Sequence, residues 1–204
     1  MTPDQQDSVM PARWRAPVLL LLALVASCHP VREPVQMMPP PDDAGRPRIS
    51  ASGLEHKVHR LINRERERYG LAPLSWDDAL ARVARGHSRD MSRRRYFSHD
   101  SPEGHDLAFR YAQEGYRCSI RVGNVLYQGA ENILQNNLYD SVTTVNGKAT
   151  YDWNTEDRIA ETTVRGWMDS PGHRKNILTP HWRKEGIGVL LDPDGKVYIT
   201  QNFC

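Results

Sequence analysis

The residues best suited to chemistry in this 204-residue chain stand in three short polar stretches set among turn and apolar residues. They are Tyr96-Phe97-Ser98-His99, Gly129-Ala130-Glu131-Asn132-Ile133, and the run from Trp167 to Leu178 that contains Asp169-Ser170-Pro171-Gly172-His173. Two imidazoles and a carboxylate stand in them: His99, His173 and Glu131. Gathered in one place with an open coordination position, such groups suit Zn²⁺ or another divalent ion, and a water bound there would be activated. Ser170-Pro171 reads as a helix start with proline at the first position. That puts His173 in the first turn, where the partial positive charge disfavours imidazolium and keeps the ring neutral and able to ligate. The alternative is plain hydrogen bonding, with both histidines tying loops together and Glu131 accepting from backbone N–H groups. Spacing along the chain does not itself bring the three together. No Walker loop, Gly-x-Gly-x-x-Gly, Gly-x-Ser-x-Gly or His-Glu-x-x-His motif is present.

The elements that must position these residues follow from periodicity. Leu54, Val58, Leu61, Ile62 and Tyr69 recur at helical spacing, and Gly70 ends the first helix. Ser75 followed by Asp78 reads as a capping-box-like start for a second helix with Leu80, Val83, Ala84, His87 and Met91 on one face. His87 is therefore expected in the core. A short third helix spans Asp106 to Glu114, and Asn154 with Asp157 caps a fourth whose stripe is Ala160, Val164, Trp167 and Met168. One strand is expected from Tyr127 to Leu134. Val142–Val145 and Lys148–Tyr151 flank Asn146-Gly147 as a hairpin, and Ile187–Leu191 with Val197–Gln201 form a C-terminal hairpin. The order is α+β, with helices covering a small, mainly antiparallel sheet. His56, His59, His105 and His181 have no nameable partners, Asn132 and Asn176 are expected to secure backbone, and Trp76, Trp167 and Phe203 to anchor the core.

Composition sets the compartment rather than the chemistry. Charged residues make up 25% of the chain and the formal net charge is +2, so nothing global points to nucleic acid. The basic run Arg85, Arg89 and Arg93-Arg94-Arg95 reads as a solvated helix face, with phosphate or anionic lipid binding as the alternative. Arg13 and Arg15 precede an apolar segment, Ala16 to Ser27, that ends at Val25-Ala26-Ser27-Cys28, the pattern of an export signal. As a helix it rises only about 18 Å against a hydrocarbon core of about 30 Å, too short for a stable span. Residues 1–28 thus read as a lipoprotein signal peptide with Cys28 as lipidated anchor, or as an ordinary secretory signal with a stray cysteine. Residues 29–52, with Pro39-Pro40-Pro41, read as a disordered linker, and residues 53–204 as the domain. Lipid on Cys28 leaves Cys118 and Cys204, an even pair in a disulfide-permissive compartment, expected to bridge; two free thiols are the alternative.

The three polar stretches, the opening helix, Pro73-Leu74-Ser75-Trp76 and the closing Tyr198-Ile199-Thr200-Gln201-Asn202-Phe203-Cys204 together resemble the CAP superfamily. This is also called the SCP or sperm-coating-protein domain, and the resemblance is to its bacterial and archaeal form, from about Leu54 to Cys204. It implies an α-β-α sandwich of helices flanking the sheet, an extracellular setting, and a cleft with two histidines and acidic residues that in some members binds a divalent metal such as zinc. Carried over, His99 is the first cleft histidine, Glu131 the glutamate of the Gly-Glu-Asn stretch and His173 the second histidine. The family's other glutamate falls near Asp169 and Ser170, where Asp169 is the shorter substitute. The expected function is an extracytoplasmic, lipid-anchored, monomeric binding or structural module taking a small ligand, peptide or metal. A metal-dependent hydrolase or peptidase, with His99 and His173 as ligands and Glu131 as base, is the second reading; lipid or sterol-like binding in apolar grooves is the third.

Overall fold

The computed structural model describes residues 45–204. The signal peptide, the lipidation of Cys28 and most of the linker lie outside the described residues. Helix α1, Ala51–Arg68, starts ahead of Gly53 because Ser50 is its N-cap, with Oγ accepting from the Gly53 N–H at 3.1 Å. Leu54, Val58 and Ile62 along its inner stripe are fully buried, and Gly70, at φ 69°, follows it. Ser75 does not cap the next helix. It lies in a short strand, β1 (Ser75–Trp76), while Asp77 caps α2 (Asp78–Arg94) by accepting from the Ala79 and Leu80 N–H groups. Aspartate directly before the first turn is the nearer acceptor for those free donors.

Helix α3, Leu107–Gln113, is capped by Asp106. Where one strand was expected from Tyr127, two are found. A small hairpin, β2 (Ile120–Val122) with β3 (Val125–Tyr127), is followed by Gly129 at φ 111° and then β4, Ala130–Asn137. Glycine tolerates that backbone, and a Cβ there would also sit 2.7 Å from the Tyr111 ring. β5 (Tyr139–Val145) and β6 (Lys148–Trp153) turn through Asn146 and Gly147, both at positive φ, as the Asn-Gly pair predicts. Thr155, not Asn154, caps α4 (Glu156–Asp169), its Oγ1 accepting from the Arg158 N–H. Asn154 instead donates to the Asn137 carbonyl at 3.1 Å. After α5 (Pro171–Ile177) come β7 (Lys184–Leu191) and β8 (Lys196–Phe203), the expected C-terminal hairpin.

The main sheet has the order β1-β7-β8-β4, and only the β1–β7 pair is parallel. Strand alternation sends successive side chains to opposite faces. Thr200 meets Ser88 of α2, while Gln201 meets Asn132, whose amide also reaches α5. The result is an α+β, α-β-α sandwich with α2 on one face and α1, α4 and α5 packed over the other. Two glycines let α2 lie directly on β7. A Cβ on Gly186 would stand 2.1 Å from Ala81 N, and one on Gly188 2.0 Å from Arg85 N.

Cys118 and Cys204 form a disulfide with a Cα–Cα distance of 5.5 Å and 86 residues of separation. Cross-linking so long a loop restricts the unfolded chain, so Cys204→Ser should lower unfolding free energy by about 2–4 kcal/mol. A urea titration of the oxidised protein and this variant measures it; coincident midpoints would contradict it.

Candidate functional site

β4 is an edge strand, and its alternation distributes the site over both faces. Glu131 points to the α2 and α3 side, and Asn132 to the α5 side. Across the edge, Asn132 Nδ2 donates to the His173 carbonyl at 3.3 Å, and Asn176 Nδ2 to the Glu131 carbonyl at 3.1 Å and to Asn132 Oδ1 at 2.9 Å. These amides fix α5, and with it His173, against the strand. Fully buried Arg66 holds the far end of α5 by donating to the Ile177 carbonyl at 2.6 Å and the Thr179 carbonyl at 3.0 Å.

His99 arrives from the loop between α2 and α3. Its Nδ1 lies 2.9 Å from Glu131 Oε1, which leaves Nε2 without a partner among the described residues. The ring is half exposed, whereas the Glu131 side chain is almost wholly buried. The His99 and His173 ring centroids are 6.5 Å apart. Burial, reinforced by the nearby His99 charge, pushes the His173 pKa below the usual histidine value. The direction matches the expectation, but burial is the main cause, and Ser170 makes no side-chain cap bond to α5. His99 and Glu131 border an open hollow of about 420 Å³ together with Asp106 and Gln128; His173 stands outside its lining.

Asp169 is not part of this arrangement. It is exposed, and its carboxylate makes no hydrogen bond or ion pair with any described residue. Trp167 is fully buried on α4, and two residues further on a side chain has turned roughly 200° about the axis, away from the core.

Arg110, which the sequence did not single out, completes the cluster. From α3 its guanidinium donates to both Glu131 oxygens, at 2.9 and 2.8 Å, and to the His105 carbonyl at 3.0 Å. Arginine is the only charged residue in α3, and a lone cation in an otherwise apolar and neutral short helix is the signal that marks it. His87 is buried as expected, with Nε2 3.0 Å from the Ser98 carbonyl, and burial lowers its pKa. It also lies 3.8 Å from Glu131.

The other histidines have partners after all. His59 Nδ1 lies 2.5 Å from Glu185 Oε1, and fully buried Glu185 also accepts from Gln201. His56 packs on Trp76, His105 stacks on Phe109, and His181 packs on Tyr127. Within the basic run, Arg85 pairs with Glu55 and Arg94 with Glu103, and Arg89 and Arg93 are exposed, as on a solvated face.

What the donors can hold follows from this geometry. Among the described residues no three His, Cys, Asp or Glu side chains are grouped to hold a metal ion. Glu131 is committed to Arg110 and His99, so it is poorly placed to serve as a metal ligand. Two imidazoles sharing one tetrahedral zinc place their ring centroids roughly 5 Å apart. The His99 and His173 rings stand 6.5 Å apart, and His99 is half exposed. An ion taken up here would be held by His99 and His173 with solvent in the remaining positions.

Comparison with known proteins places this architecture. The chain is 32% identical over 154 residues to the uncharacterized protein YkwD of Bacillus subtilis (strain 168), covering 76% of this chain and 48% of YkwD. It is 35% identical over 150 residues to the uncharacterized membrane protein YlbC of the same organism, covering 73% of this chain and 34% of YlbC. The chain thus spans half or less of the length of these relatives. The crystal structure of an extracellular protein containing a SCP domain from Bacillus anthracis str. Ames superposes with a TM-score of 0.56 at 29% identity, over 75% of this chain and 40% of that one. Residues 59–203, which hold the whole four-stranded sheet, match the cysteine-rich secretory protein family, CAP. With fold and sequence in agreement over that span, this chain belongs to the CAP family.

Proposed function

We propose that this chain is an extracytoplasmic binding module, tethered by lipid on Cys28, whose working groups are the His99 and His173 imidazoles at the rim of β4. The observation that carries the reading is the state of those rings. His99 is oriented by Glu131 with Nε2 free, and the His173 ring nitrogens have no partner among the described residues. A carboxylate behind a histidine fixes its tautomer and presents the other nitrogen outward, as in many metal-ligating histidines. Such a pair takes a divalent ion, or an anionic small ligand or peptide through hydrogen bonds.

The hydrolase reading has less support, because its base would be Glu131. Both its oxygens already accept from Arg110, and one also faces His99. An exported setting is supported by the Cys118–Cys204 disulfide, since disulfides persist in oxidising compartments. The Bacillus anthracis relative is likewise described as extracellular. No helix among the described residues is long and apolar enough to cross a membrane.

Titration of the full chain with Zn²⁺, followed by isothermal calorimetry, tests the site. Binding is expected in the wild type, with His99→Ala and His173→Ala each weakening it at least tenfold. Equal zinc affinity in all three proteins would remove the histidines from the site.

A further inference from the structure

A second cavity, of about 350 Å³, lies between α2, the loop from Tyr96 to His105, and α3. It goes beyond the reading above, since neither His99 nor His173 lines it. Its two ends are bridged by ion pairs, Arg82 with Glu114 and Arg94 with Glu103. Its lining balances three guanidinium groups against three carboxylates, counting Arg110 and Asp90 with those pairs. A field so balanced favours a neutral ligand that both donates and accepts hydrogen bonds.

The walls add shape to that chemistry. Phe109 is 40% exposed and stacks on His105 with ring centroids 3.7 Å apart, which presents a flat aromatic face at the cavity. The floor includes Gly86, inside α2, where a Cβ would meet nothing within 4 Å. A helix-interior glycine costs about 0.5–1 kcal/mol relative to alanine. Gly186 and Gly188 are required by close packing, but Gly86 is not; its missing side chain keeps the floor open. Arg110 also borders the cavity, its guanidinium held by Glu131 and the His105 carbonyl.

We infer that this cleft binds a neutral saccharide of one or two rings. Sugar C–H faces pack on aromatic rings, and sugar hydroxyls serve Arg and carboxylate groups at once. The volume lies at the lower end of small-molecule sites, about 300–1,000 Å³, which suits a short saccharide rather than a long one.

Calorimetric titration of the full chain with N,N′-diacetylchitobiose and with maltose tests the inference, with uracil as a planar, uncharged comparison. At least one of the two sugars should bind with Kd about 1 mM or tighter, and uracil should bind more weakly. Gly86→Leu fills the floor and should weaken the sugar at least tenfold without lowering Tm, and Phe109→Ala should do so by a similar factor. The sugar titration is run without added Zn²⁺, so its outcome is separate from that of the zinc titration. Absence of binding by both sugars, tighter binding of uracil, or wild-type affinity in Gly86→Leu would each overturn the assignment.

Discussion

Gly188→Ala is expected to cost at least about 3 kcal/mol of stability, the upper end of overpacking penalties, and to leave little folded protein. The reason is contact, not backbone conformation. The added methyl would stand 2.0 Å from Arg85 N and 2.2 Å from Ala84 C, and neither belongs to a side chain that can rotate away. Helix α2 would have to lift from β7, losing the Ser88 Oγ bonds to the Gly188 carbonyl and to Thr200, both 2.9 Å. It would also carry His87 away from the carboxylate cluster. Far-UV circular dichroism through a urea titration reads the loss, and a wild-type midpoint would mean that α2 rests on the sheet less directly than described.

The second large effect concerns Arg110. Its guanidinium and His99 are the hydrogen-bonding partners of a carboxylate whose side chain is only 4% exposed. Removing one member of a buried ion pair typically costs about 3–5 kcal/mol, mostly because the other charge is left behind. With His99 still in place, Arg110→Met should fall near the lower figure, about 3 kcal/mol. Replacing both members with apolar groups removes the stranded charge, so Arg110→Met/Glu131→Met should recover most of that loss. Equal losses for the single and double variants, measured by denaturant titration, would show that packing rather than charge pairing sets the cost.

The site was legible in sequence where its residues sit in local patterns, and illegible where partners come from afar. Ser170-Pro171 announced α5 and so the placement of His173 in a first turn; Asn146-Gly147 announced the β5–β6 turn. Arg110 reaches Glu131 across 21 residues and Glu185 reaches His59 across 126, and no periodicity encodes either meeting. Asp169 was suggested by its position in the family pattern, but the turn of α4 fixes the direction of a side chain more strongly than its place in a motif does. Helix starts were misplaced by one or two residues at α2 and α4, because Asp77 and Thr155 capture the free amides that Ser75 and Asn154 seemed able to take.

A four-stranded sheet with two open borders is a template for other chains, since unpaired strand edges invite self-association. In this protein side chains already occupy that role. On one border, Asn176 and the Trp167 indole donate to the Glu131 and Ile133 carbonyls at 3.1 Å each. On the other, beyond the short β1, Glu55 accepts from the Val189 N–H at 3.1 Å. The groups that steady the cleft therefore also guard against fibril-like stacking, and damage to α5 would show itself first as insolubility.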